Sequence, residues 1–149
     1  MERKNRGDPD CPMARSVNII GEWGSLMIIR EAFVGVTRFD DFQKRLGMSR
    51  NLLTARLKTL VAGGVFERRP VSSNGRRLEY VLTPMGEDLL TTIVALRQWG
   101  DRWLFAPAPH PNDMVDITDG SRLEDLKIRS TSGRAVPRKD IRLRPTQQK

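Results

Sequence analysis

Leu53, Leu57 and Leu60 recur at intervals of four and three residues inside SRNLLTARLKTLVAGG, between Ser49 and the pair Gly63-Gly64. That spacing lines one face of an α-helix with leucine and drives the face into a core. Ser49 is placed to cap the helix, because its hydroxyl can accept a free backbone N–H of the first turn. The glycine pair ends it. At about 100° per residue, the opposite face holds Asn51, Thr54, Ala55 and Lys58, flanked by Arg50 and Arg56. This outward face is polar, short-chained and basic, without the Glu/Lys pairing of an ordinary solvated helix.

The neighbouring segments supply partners for the leucines. Upstream, Met13, Val17 and Ile20 share a helical face that ends at Gly21, and Trp23 to Val34 is apolar over most of a helix circumference, which predicts a buried central helix. After the short connector Gly35-Val36-Thr37, the residues Phe39, Phe42 and Leu46 mark a short helix stopped by Gly47. Downstream, VFERRPV and LEYVLT flank SSNGRR, two alternating runs around an Asn-Gly turn signal, and so predict a β-hairpin. Thr83-Pro84 then opens a helix, with Thr as cap, Pro at the first position and Glu87 in the first turn, expected to continue through Leu96 and Trp103. Past residue 105, PAPHPND reads as a linker, and the remainder has short alternating segments with little to form a core. The expected organisation is therefore a tail at 1–10, one folded domain at 11–105, and a linker with a small basic extension at 106–149.

Charge adds to this pattern. The chain of 149 residues carries a net charge of +8. Residues 38–77 hold ten basic groups, Arg38 and Lys44 through Arg68, Arg69, Arg76 and Arg77, against Asp40, Asp41 and Glu67. A local excess of that size suits a polyanion, and nucleic acid is the commonest one. The three helices nearest the hairpin, the two-stranded hairpin and a final long helix, in that order, spell a winged helix-turn-helix, a mainly α fold with a small β hairpin. In such a fold the helix at 49–62 enters the major groove, where Asn, Thr and Arg reach base edges, and the hairpin arginines reach flanking phosphates.

The same residues resemble a known family. Cys11-Pro12, Gly21 with Trp23, Ile29-Arg30-Glu31, Arg38-Phe39-Asp40-Asp41-Phe42, Ser49 with Leu53-Thr54 and Arg56-Leu57, Gly64-Val65 with Arg68, and Glu79 to Thr83 with Gly86 are similar to the HxlR-type bacterial transcriptional regulators. The resemblance covers residues 11 to about 105. It implies a homodimeric winged-helix DNA-binding protein, here expected to be a repressor, acting on an inverted-repeat operator. By that resemblance Ser49, Arg50, Asn51, Thr54, Ala55 and Lys58 face the groove together with Arg38, and Arg76 and Arg77 sit on the wing.

A dimer also follows from the apolar residues at the end of the last helix. Leu96, Trp99 and Trp103, followed by Leu104 and Phe105, would be an exposed apolar patch unless covered, and a two-fold partner is the commonest cover. Met27, Phe33 and Phe39 are expected to pack in the core rather than line a ligand cavity. The tail segment Ser130 to Val136 resembles an extension that some longer relatives carry with metal-knuckle cysteines, here with the cysteines replaced. With His110 as the one histidine and Cys11 as the one cysteine, no metal site and no cofactor are expected, and His110 reads as a linker residue.

Cys11 precedes Pro12 at the mouth of a helix, and a thiolate there is favoured by the positive end of the helix dipole and by Arg15. A nucleophilic enzyme would need a general base near the thiol. None is in evidence, nor is a phosphate-cradling glycine loop, so no enzyme is expected. Several HxlR-like regulators sense oxidants or electrophiles through a cysteine at this Cys-Pro position, which makes Cys11 a candidate switch; the plain alternative is a small capping residue. A ligand-responsive regulator without thiol sensing and a winged-helix protein or RNA module are the competing readings, the effector being unknown. No secretory leader or membrane span is evident, which makes the cytoplasm the expected location.

Overall fold

The computed structural model describes residues 7–72, 75, 77–105 and 107–144. Its elements are α1 (Pro12–Ile20), α2 (Ser25–Phe33), α3 (Phe39–Leu46), α4 (Arg50–Ala62), β1 (Phe66–Pro70), β2 (Leu78–Leu82), α5 (Pro84–Glu87) and α6 (Leu90–Leu104). Contacts divide the chain into two compact units, Met1–Ile93 and Val94–Lys149. No helix among the described residues is long and apolar enough to cross a membrane.

The first unit is built around the leucine stripe. Leu53, Leu57 and Leu60 are fully buried with Ile28 and Ile29 of α2, Phe42 of α3 and Phe66 of β1. The rings of Phe42 and Phe66 meet edge to face at 6.4 Å, an arrangement that aligns the positive edge of one ring with the negative face of the other. Gly47, at φ 63°, reverses the chain after α3. Ser49 Oγ then accepts the Leu52 N–H at 3.3 Å and starts α4. The hairpin pairs antiparallel from Phe66 opposite Leu82 to Pro70 opposite Leu78. Thr37 in the α2–α3 connector accepts the Tyr80 N–H at 2.7 Å, which ties the hairpin to the helices.

Two expectations from the sequence are corrected here. The second helix does not begin at Trp23. Gly24 sits at φ 88°, and a Cβ there would lie 2.0 Å from Met48 Cε, so the chain turns sharply before α2 and leaves Trp23 outside it, 69% exposed. Met27 is exposed too, whereas Phe33 and Phe39 pack on the core. Nor is the last helix continuous. Leu89 donates to Gly86 O at 3.1 Å, three residues back, which interrupts the four-residue ladder between α5 and α6. The Thr83 cap is as expected: its Oγ1 accepts the Gly86 N–H and donates to Gly64 O. Gly86 itself is pressed against the Val65 carbonyl, where a Cβ would stand 2.2 Å from the oxygen.

In the second unit, no described residue is buried. Polar contacts hold it together instead. Gln98 of α6 pairs like a strand neighbour, donating to Glu124 O and accepting the Leu126 N–H, both at 2.8 Å. Arg102 meets Asp125 at 2.9 Å. His110 is more than a linker residue: its Nδ1 accepts from Arg97 Nη2 at 2.8 Å and its ring packs edge-on against Phe105. Among the described residues, no group of His, Cys, Asp and Glu is arranged to hold a metal ion.

Glu31 fixes how α2 meets α3. Its side chain is buried, yet Arg45 Nε of α3 donates to Oε2 at 2.5 Å and Arg30 of α2 donates to Oε1. The Glu31 carbonyl also accepts the N–H groups of Val34 and Val36, closing α2 and aiming the connector. Burial by itself pushes the Glu31 carboxyl up, but the hydrogen bonds and charges of Arg45 and Arg30 together outweigh it and hold the group below its usual value of 4.5. A carboxyl lowered in the folded state stabilises the fold fully above the unfolded value, and this contribution is lost as pH falls through the folded one. Glu31→Gln is therefore expected to reduce the unfolding free energy by about 1–2 kcal/mol at neutral pH. In urea unfolding the gap between variant and parent should shrink at about pH 3. A gap that is the same at both pH values would contradict this account.

Candidate nucleic-acid interface

Because one face of α4 is fully used by the core, the other is presented without competition. Asn51, Thr54, Ala55 and Lys58 are all exposed, as are Ser49 and Arg50 at the helix start. From Asn51 to Lys58 the face spans roughly 10 Å along the axis, a length that suits three or four base pairs of a major groove. Amide and ammonium groups on such a face match base edges: Asn pairs bidentately with adenine, and Lys or Arg with guanine. Ala55 offers a methyl group for contact with thymine.

Arg50 is held in place rather than left loose. Its guanidinium carbon lies 4.9 Å from the centre of the Phe39 ring, and Nη1 is 3.9 Å from Asp40. The stacking limits the side chain's freedom while leaving 71% of it exposed. Arg56, expected beside this face, is instead spent inside the fold. Its Nε donates to Trp23 O at 2.8 Å and its Nη2 meets Glu22 at 3.2 Å, so the guanidinium fastens α4 to the α1–α2 loop. The acceptor is the Trp23 backbone carbonyl, a contact that does not depend on the indole ring, which is exposed.

Arg38 caps the start of α3 in extended backbone and its side chain is exposed. On the hairpin, Arg68 and Arg77 are exposed, while Arg69 is neutralised by Glu67, to which its Nε donates at 2.7 Å. Arg76 lies outside the described residues. Of the hairpin cations in the described residues, Arg68 and Arg77 are thus the ones left to a partner. The leucine period and the Ser cap make the α4 face legible in advance; the removal of Arg56 is not, because the Trp23 carbonyl it meets lies 33 residues away, whereas Arg69 meets Glu67 on the same face of its own strand.

Further features lie outside the α4 face. Cys11 is the N-cap of α1 in extended backbone (φ −86°, ψ 115°); its side chain makes no capping hydrogen bond and is half-buried. Leu96, Trp99 and Trp103 repeat at three and four residues along α6, and the two tryptophans are 51% and 67% exposed. In the first unit, Met13 and Val17 form an exposed apolar pair on α1. A groove of about 570 Å³ in the same unit is lined by Arg15, Ile19 and Ile20 of α1 together with Val65, Met85 and Leu89.

Comparison with known proteins bears directly on this arrangement. A family model described as HxlR-like helix-turn-helix matches residues 19–107. An uncharacterised HTH-type transcriptional regulator of Mycobacterium tuberculosis is 38% identical over 133 residues, which span 89% of this chain and 84% of that protein. The crystal structure of PA1607, described as a transcription factor candidate, superposes with a TM-score of 0.87 at 38% identity, covering 93% of this chain and 97% of that one. The redox regulator HypR in its oxidised form matches with a TM-score of 0.56 at 25% identity, over 62% of this chain and 96% of its own.

Proposed function

The chain belongs to the HxlR-like helix-turn-helix family of transcriptional regulators, and from that premise we propose that it is a homodimeric repressor that reads an inverted-repeat operator through α4. The family is one of DNA-binding regulators. The observation that carries the finer reading is the α4 face, where Asn51, Thr54, Ala55 and Lys58 stand free opposite three fully buried leucines. Asn51, Thr54 and Lys58 read bases, with Ser49, Arg50 and Arg38 at the groove edge. Arg77, with Arg76, holds phosphates from the wing.

The dimer is supported by the stripe of Leu96, Trp99 and Trp103, which the described residues leave 48%, 51% and 67% exposed. A two-fold partner would cover it and set two copies of α4 about one DNA turn apart, as a palindromic site requires. Bound across promoter DNA, such a dimer blocks access to it. Cys11 is the proposed sensor. Its uncapped, half-buried thiol at the α1 start and the chain's likeness to HypR, described as a redox regulator, favour this over an inert cap. With one cysteine per chain, the switch would be a Sγ–Sγ bond between two protomers or a mixed disulfide that caps Cys11 with a small thiol, in either case two thiol protons and two electrons passing to a peroxide-class oxidant.

These assignments separate in experiment. Asn51→Ala is expected to lower the preference for operator over random DNA by about tenfold. Arg77→Ala should weaken both equally and reduce the slope of log affinity against log salt by about one; identical effects of the two changes on both DNAs would overturn the assignment of groove and wing. In sedimentation, the double change Trp99→Ser, Trp103→Ser should yield monomer, and an intact dimer would remove α6 from the interface. Peroxide should release the parent protein from operator DNA but not the Cys11→Ser variant; release of both would move sensing elsewhere, the groove lined by α1 being the next place to look.

A further inference from the structure

The net charge of +8 conceals a second basic block. Residues 78–126 are acidic, with Arg97, Arg102 and Arg122 outnumbered by nine carboxylates, whereas beyond them Lys127, Arg129, Arg134, Arg138, Lys139, Arg142 and Arg144 face a single acid, Asp140. The acidic side of the second unit is largely used within it. Asp125 meets Arg102, Asp113 meets Arg122 at 3.0 Å, and Asp116 and Asp119 accept N–H groups of their own turns. The basic side is not. Arg134 pairs with Asp140 at 3.1 Å, but none of the other six has a carboxylate partner among the described residues, and all are exposed.

These cations stand on ordered backbone. A small hairpin closes around Gly133, at φ 83°, with Arg129 bridged to Ala135 and the Val136 N–H bonded to Ile128 O. Pro137 leads into a single 3-10 turn, Arg138–Asp140, and the chain continues to Arg144. Arg142 Nη1 donates to the carbonyls of Lys139 and Ile141, which orients the guanidinium without neutralising it. The whole segment lies past residue 107, where the match to the family model stops.

We propose that Lys127–Arg144 is a second DNA-binding surface, which clamps backbone phosphates of the duplex independently of its sequence. Guanidinium forks suit phosphate oxygens bidentately, and a backbone already set by turns loses less freedom on binding than a loose tail does. The inference rests on the proposed reading of the chain as an operator-binding protein for its place in function, but its chemistry requires only duplex DNA.

The test compares the full-length parent with a variant carrying Arg138→Gln, Lys139→Gln, Arg142→Gln and Arg144→Gln, and with a second carrying Arg138→Lys, Arg142→Lys and Arg144→Lys. Affinity is measured against salt on operator and on random-sequence duplex, and unfolding confirms that both variants fold. The Gln set is expected to reduce the log–log salt slope by about 3 to 4 on both DNAs, with the operator preference unchanged; the Lys set should keep the parent's slope. An unchanged slope in the Gln set overturns the proposal. So does loss of self-association at unchanged slope, which would make the acidic stretch of a second copy the partner. If the parent shows no preference for any operator, the reading of α4 fails, while the slope on random duplex still decides this one.

Discussion

Burial of a single leucine stripe organises this molecule. Leu53, Leu57 and Leu60 are each removed from water completely, worth roughly 2 kcal/mol apiece, and the elements they bury against are the ones that hold α4 in place. A helix committed on one side to α2, α3 and β1 must present its other side outward, so the exposure of Asn51, Thr54 and Lys58 is a consequence of the core. Glu31 adds direction to this packing. Hydrophobic contact alone would tolerate rotation of α3 on α2, whereas a buried carboxylate gripped by Arg45 and Arg30 does not.

Charged groups in the first unit therefore fall into two populations with different work. Arg30, Arg45, Arg56 and Arg69 have carboxylate partners and lock the scaffold, Arg56 by reaching back to Glu22 and Trp23. Arg38, Lys58, Arg68 and Arg77 have none among the described residues and are left for an external anion. Arg50 lies between, stacked on Phe39 and only loosely paired with Asp40. The same division recurs in the second unit, where the acids serve internal contacts and, Arg134 apart, the terminal cations have no carboxylate partner among the described residues. Sorting cations by partner, rather than counting them, is what distinguishes a binding surface from a merely basic one.

The helix-turn-helix was readable because its signals are local: a leucine period, a Ser cap with its N–H three residues on, and glycines where the chain must reverse. The hairpin and its Thr-Pro exit were readable for the same reason. Local signals mislead where a neighbour distant in sequence intervenes. Trp23 looked like core material until Gly24 met Met48, and the last helix looked continuous until Gly86 came against the Val65 carbonyl.

By itself, then, the sequence determined the order of elements, their ends, the buried stripe of α4 and the residues opposite it, since periodicity and capping act within a turn or two of the chain. It also carried enough resemblance to identify the family. Only the tertiary structure decided which cations remain available, that His110 joins Arg97 and Phe105, and that the basic end of the chain is held on turns with all its charges but Arg134 lacking a carboxylate partner among the described residues. Those outcomes depend on which groups lie within about 4 Å in space, and an arginine meeting a carbonyl 33 residues away leaves no periodic trace in the chain.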